Sequence, residues 1–208
     1  FVAYMTNERA RYPAKLFFYD PTNGTFVDQS DRLENNKGTL FARWLSSADL
    51  NADGVADFIV SQHPEKQVSD YSSVEVWLSN GGLSWHQITV AEASRNPVSG
   101  EVAGYYHGHA VGDVDHNSST DIVVANGSNT GSFLLKNDGL GQFEKTALFT
   151  QQCVDDASCP ASVMIAELED INKDGLLDLL GQAAPSGLPY LYYGTPEGLF
   201  GIAGTRPL

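Results

Sequence analysis

Three stretches decide the fold. Asp49–Ser61 reads DLNADGVADFIVS, Asp113–Ala125 reads DVDHNSSTDIVVA, and Asp170–Gln182 reads DINKDGLLDLLGQ. Each places oxygen-bearing side chains at positions 1, 3, 5 and 9 and then turns apolar. Their starts lie 64 and 57 residues apart, as expected of a repeated supersecondary unit.

Working outward, each loop is followed by a hairpin signal with a glycine-rich turn: VEVWLSNGGLSWHQITV, SFLLKNDGLGQFEKTAL and YLYYGTPEGLFGIAG. A fourth copy is KLFFYDPTNGTFVDQ, near the front. Each loop is preceded by another strand-like segment: FARWLSSAD, YYHGHAVGD and SVMIAELED. One unit therefore reads strand, acidic loop, strand, strand, turn, strand, and about 50–60 residues of that kind make a propeller blade.

The expected fold is all-β: a β-propeller segment of four-stranded antiparallel blades spanning 1–208, with blades at 41–92, 105–149 and 161–204 and a partial one at 1–30. Phe1-Val2-Ala3-Tyr4-Met5 takes the place of Phe58-Ile59-Val60, the strand after a loop, so that unit lacks its first strand and loop. The preferred expectation is three full blades and three strands of a fourth, completed by additional blades of the same parent chain or a neighbouring subunit. A closed ring of four blades is the competing one.

Oxygen ligands at alternate positions of a tight loop suit Ca2+, which accepts six to eight oxygens. Asp49, Asn51, Asp53, the carbonyl of Val55 and Asp57 form the first candidate set, with Gly54 at the turn. Asp113, Asp115, Asn117, the carbonyl of Ser119 and Asp121 form the second, and Asp170, Asn172, Asp174, the carbonyl of Leu176 and Asp178 the third. Ser118 replaces the turn glycine in the second loop, which is expected to be the weakest site. These are not EF-hands, because position 12 is Val60, Val124 or Gly181 rather than a bidentate glutamate. An isolated copy reads equally well as a solvated Asx turn, but three in register cluster carboxylates that repel without a cation.

With this DxDxDGxxD loop and the hydrophobic strand after it, the chain resembles the FG-GAP/VCBS repeat family along its whole length. The resemblance implies a β-propeller with Ca2+ between the first two strands of a blade, and the departure at Ser118 weakens the match at the middle site. It does not imply one function, since such blades occur in adhesion receptors, lectin-like modules and propeller domains attached to carbohydrate-active lyases or hydrolases.

Lys plus Arg number 12 against 26 Asp plus Glu, a net charge of −14, so binding to nucleic acid phosphate is excluded as a role. No run approaches the roughly 18 apolar residues of a membrane-spanning helix, so no membrane insertion by this segment is expected. The opening FVAYMTNERARYPAK lacks the basic and apolar regions of a signal peptide and is expected to belong to a mature chain or a piece. Cys153 and Cys159 bracket turn-forming residues and favour a local disulfide in a protruding loop, with two buried thiols as the alternative. A disulfide points to an oxidising, extracellular compartment.

His107 and His109 alternate along a strand and are expected to share a face with Tyr105, as packing or channel-lining residues rather than as an acid–base pair. Trp77 and Trp85 read as packing between blades, the alternative being a sugar platform with Trp44 and His86. Asn23 and Asn126 head possible glycosylation sequons; Asn117 heads another but is claimed as a ligand. The expected role is an extracellular calcium-binding module that binds or adheres to a protein or glycan partner. The alternative is the propeller domain of a secreted lyase or hydrolase. No GxSxG, HExxH, P-loop or CxxC motif is present.

Overall fold

The computed structural model describes residues 1–3, 10–63, 71–94, 104–128, 130–184 and 186–201. Tyr4 and Met5 of the first expected strand, and residues 202–204 of the last expected blade, lie outside them. A hairpin of β1 (Phe17–Asp20) and β2 (Thr25–Asp28) leads through a 3-10 turn at Ser30–Arg32 to the short strand β3 (Leu33–Glu34). Three meanders follow. They comprise β4 (Ala42–Ala48), β5 (Asp57–Gln62), β6 (Tyr71–Ser79) and β7 (Trp85–Ser94); β8 (Tyr106–Gly112), β9 (Asp121–Asn126), β10 (Phe133–Asn137) and β11 (Phe143–Ala147); and β12 (Val163–Glu169), β13 (Asp178–Ala183), β14 (Pro189–Gly194) and β15 (Phe200–Gly201). Within each meander chain neighbours pair antiparallel, so the acidic loops join first to second strands and the glycine turns join third to fourth. The first unit contributes β1–β2 and one antiparallel bridge from Val2 to Lys15.

The sheets stack in chain order because their middle strands bury both faces. In β9, Ile122 and Val124 join Ile59, Val74 and Val76 of the preceding sheet, while Val123 and Ala125 join Val163, Ala166 and Leu179 of the following one. That two-sided burial explains why the run after each loop is continuously apolar rather than alternating. Each such Ile or Val contributes about 1.5–3 kcal/mol. On the front side, Val60, Trp77 and Trp85 pack with Ala14, Leu16 and Leu33, as expected of tryptophans between sheets. The first strands lie side by side, with β8 against β4 and β12.

Two elements had no signature. Leu33–Glu34 of β3 pairs in parallel with Trp85 and His86 of β7, and Phe149 bridges in parallel to Phe200 of β15. In both cases the residues leading into a sheet cover its last strand, which closes an otherwise open edge. The other is α1 (Gln151–Asp155), N-capped by Thr150, whose hydroxyl accepts from Cys153 N. Cys153 and Cys159 form the expected disulfide, with Cα atoms 5.2 Å apart. It does not protrude: Cys153 is 0% and Cys159 4% exposed, because both sulfurs join the core between the second and third meanders.

Candidate functional site

The three acidic loops share one backbone. Ala52, His116 and Lys173 at position 4 have φ of 57°, 60° and 63°, and Gly54, Ser118 and Gly175 at position 6 have φ of 80°, 69° and 89°. Ser118 therefore takes the left-handed conformation that glycine takes in the other loops, at a cost of about 1–2 kcal/mol. The position-1 aspartates, Asp49, Asp113 and Asp170, accept from the position-6 N–H at 2.9, 3.0 and 3.0 Å. Asn51, Asp115 and Asn172 accept from the N–H two residues on, and Asp53, Asn117 and Asp174 from the N–H of Val55, Ser119 and Leu176. Among the described residues no hydrogen bond ends on the carbonyl oxygens of Val55, Ser119 or Leu176.

The position-9 aspartates, Asp57, Asp121 and Asp178, are each 0% exposed and act as clasps. One oxygen takes the N–H of position 2 (Leu50, Val114 or Ile171, at 2.7, 2.9 and 3.0 Å). The other takes the N–H at the end of the third strand (Ser79, Asn137 or Gly194, at 2.6, 2.8 and 3.0 Å). Burial pushes the Asp57 carboxyl up to about 6 and raises Asp121 as well, against the N–H groups that favour the charged form.

Carboxylates converge in the middle loop, the one ranked weakest from sequence. Ligand oxygens of Asp113, Asp115 and Asp121 lie within 4.8 Å of one another, and Asp113 Oδ1 is buried without a partner. In the first loop Asp53 instead turns to the Ser79 hydroxyl and to Gly81 N at 2.8 Å, and in the third Asp174 Oδ2 accepts from Asn172 Nδ2 at 2.9 Å. The difference follows from where the third carboxylate sits: position 3 in the middle loop, position 5 in the others. Lys136 Nζ lies 3.3 Å from Asp115 Oδ2 and supplies part of the missing positive charge. Asn137, outside the predicted set, ties two loops together by donating to Leu50 O at 2.7 Å and Thr120 O at 3.0 Å. In sequence it reads only as a turn residue.

β8 shifts register between Tyr106 and Gly108, beside His107, and both histidines meet the preceding unit, His107 at His63 and His109 at Ser61. His107 stacks near Tyr105 and His63, with ring centroids 6.1 and 5.2 Å away. His109 is 1% exposed between the Ser46 and Ser61 hydroxyls, at 2.6 Å from Nε2 and 2.8 Å from Nδ1. Its burial lowers the imidazole to about 3. The unfolded chain thus takes up a proton below about 6.5 that the folded chain refuses, and stability falls as pH drops through that window. Between pH 6.5 and 5.0 the loss attributable to His109 is about 2 kcal/mol. Urea denaturation of His109→Gln should show a loss smaller by that amount; parallel profiles for variant and parent would refute the assignment.

Asn23 is exposed on the β1–β2 turn, its amide 2.7 Å from Asp20 Oδ2. Asn126 is 1% exposed, and its amide donates to Thr130 Oγ1 and Gly131 O at 2.9 and 2.8 Å, so a glycan there requires that network to open. The chain matches no protein-family model and no curated protein.

Proposed function

We propose that the chain is a calcium-stabilised β-propeller segment of the FG-GAP/VCBS type, acting outside the cell as a binding or adhesion module for a protein or glycan partner. The observation that carries this reading is the middle loop, where three carboxylates meet around a buried, unpartnered Asp113 oxygen. Asp113, Asp115, Asn117, the Ser119 carbonyl and Asp121 would hold the ion, and Ca2+ would neutralise a cluster that otherwise repels itself. The shared backbone of the other two loops supports equivalent sites there. Meanders stacked in order, with first strands adjacent, support a propeller arrangement.

A further sheet, from the same parent chain or a neighbouring subunit, would cover the front hairpin. Phe17, Tyr19 and Phe26 lie on one face of it at 38%, 58% and 71% exposure, more aromatic surface than a solvated hairpin carries. The disulfide is compatible with an oxidising compartment, and no described helix is long and apolar enough to cross a membrane. The lyase or hydrolase alternative would gain from His107 and His109 meeting in an open cleft; His109 is 1% exposed between the Ser46 and Ser61 hydroxyls, which favours the binding reading.

Ca2+ at a hundred times its Kd should add about 2.7 kcal/mol by mass action, and raise Tm by roughly 5–10 °C for a chain of this size. Thermal melting in EGTA and in excess Ca2+ measures it. Coincident melts would remove the calcium reading.

A further inference from the structure

Beside the middle loop, the β10–β11 hairpin bounds a cavity of about 400 Å³, within the roughly 300–1,000 Å³ of small-ligand sites. Its floor is fixed without a ligand. Asn137 is 1% exposed, and besides its two donated bonds its Oδ1 accepts from Gly139 N at 3.2 Å. Asp138 Oδ1 closes the turn by accepting from Leu140 N and Gln142 N at 2.8 and 3.1 Å. Gly139 has φ of 81°, and a Cβ there would lie 2.7 Å from Ser119 Oγ, so the turn sits tightly on the loop. A preformed wall of this kind keeps the ordering cost of binding low.

The groups facing the cavity have capacity to spare. The Gln142 amide, the Glu144 carboxylate and Asp138 Oδ2 enter no hydrogen bond or ion pair among the described residues. Lys136 stands directly across from Glu144 in the ladder but pairs with Asp115. Phe143 is half-buried: it packs against the core between the first two meanders and also lines the cavity.

These features select among ligand chemistries. A wholly apolar ligand would strand the amide and carboxylates unpaired. An anion would meet Asp115, Asp138 and Glu144 against one lysine. A neutral polyol satisfies the whole set, because its hydroxyls donate to the carboxylates, accept from the amide and the ammonium, and its C–H face lies on the phenyl ring. We propose that this cavity binds a neutral pyranose ring of a glycan, with Phe143 as the stacking surface and Gln142 and Glu144 as the hydroxyl partners. The proposal deepens the binding reading above and rests on it for the idea of a glycan partner.

The test is titration of methyl α-mannopyranoside, methyl α-glucopyranoside and methyl β-galactopyranoside into the isotope-labelled chain with Ca2+ present. NMR shifts of residues 138–144 are followed, and calorimetry of Ca2+ binding is run on the same samples. At least one glycoside should shift those resonances with a Kd of millimolar order, weakened about tenfold or more in Phe143→Ala and in Gln142→Ala. The Gln142 side chain is exposed, so that variant keeps the test valid should Phe143→Ala fail to fold. No shifts with any of the three, or shifts unaltered by Gln142→Ala, would overturn the proposal even where Ca2+ heat is normal. Glycoside shifts without Ca2+ heat would uphold the cavity and remove the calcium reading instead.

Discussion

Glu75→Ala is expected to lower the unfolding free energy by on the order of 3–5 kcal/mol, the range for stripping one partner from a buried charged network. Glu75 is 1% exposed in the middle of β6. Its Oε1 accepts from Arg11 Nη1 at 3.2 Å, Gln62 Nε2 at 3.2 Å and Ser73 Oγ at 2.8 Å, and its Oε2 from Gln87 Nε2 at 3.2 Å and Thr89 Oγ1 at 2.8 Å. The same amides hold the chain before β4: Gln62 Oε1 accepts from Leu40 N at 2.6 Å and Gln87 Oε1 from Gly38 N at 3.1 Å. Removing the carboxylate orphans donors on β5, β6 and β7 at once and loosens residues 38–40 from the sheet. Glu75→Gln keeps the volume but replaces one acceptor oxygen by a donor, so a smaller loss of about 1–3 kcal/mol is expected. Urea denaturation in EGTA measures both without interference from metal. A midpoint for Glu75→Ala within error of the parent's would show that the network does not stabilise the fold.

Nothing in the sequence flags that network. Val74-Glu75-Val76 has the alternation of a half-buried strand, and a glutamate between two valines is expected to face water. Its face is covered instead by residues around Arg11 and Gly38, which belong to no periodic element, so the coverage is purely tertiary. β3 and the Phe149–Phe200 bridge were hidden for a related reason: two residues or one are too few to show any period. The five residues of α1 are likewise below the length at which helical pattern or propensity carries weight. The partners of His107 and His109 are tertiary in the same way, since His63, Ser46 and Ser61 reach them from the preceding unit.

What was legible has local causes. The oxygen positions of each acidic loop bond to N–H groups within the loop itself, so the spacing of residue types alone dictated their shape. The hairpin turns followed from glycines at Gly81, Gly82 and Gly139 with positive φ. The order of the loops by quality was less legible, because it depends on where the carboxylate at position 3 or 5 turns. In the first loop, Ser79 and Gly81 decide that from 26 and 28 residues away.

Two substitutions in the middle loop separate its structural work from its metal binding. Asp121→Ala should destabilise the chain by about 3 kcal/mol or more even in EGTA, because the carboxylate is 0% exposed and accepts from Val114 N at 2.9 Å, Asp115 N at 3.3 Å and Asn137 N at 2.8 Å. Each buried N–H left without an acceptor costs about 1–3 kcal/mol, and the freed Asn137 end no longer fixes β10 to the loop. Asp115→Ala removes one carboxylate of the converging three and its ion pair with Lys136, whose ammonium is partly exposed. In EGTA that change should cost below about 1 kcal/mol, the range of a screened surface pair. In excess Ca2+ the Asp115→Ala melt should lose the portion of the Ca2+-dependent rise that the middle loop supplies. Asp121→Ala should lose that portion as well and, in addition, melt lower in both buffers. An Asp121→Ala chain as stable as its parent in EGTA would mean that the position-9 carboxylate is held for the ion alone and that the three backbone donors find water instead.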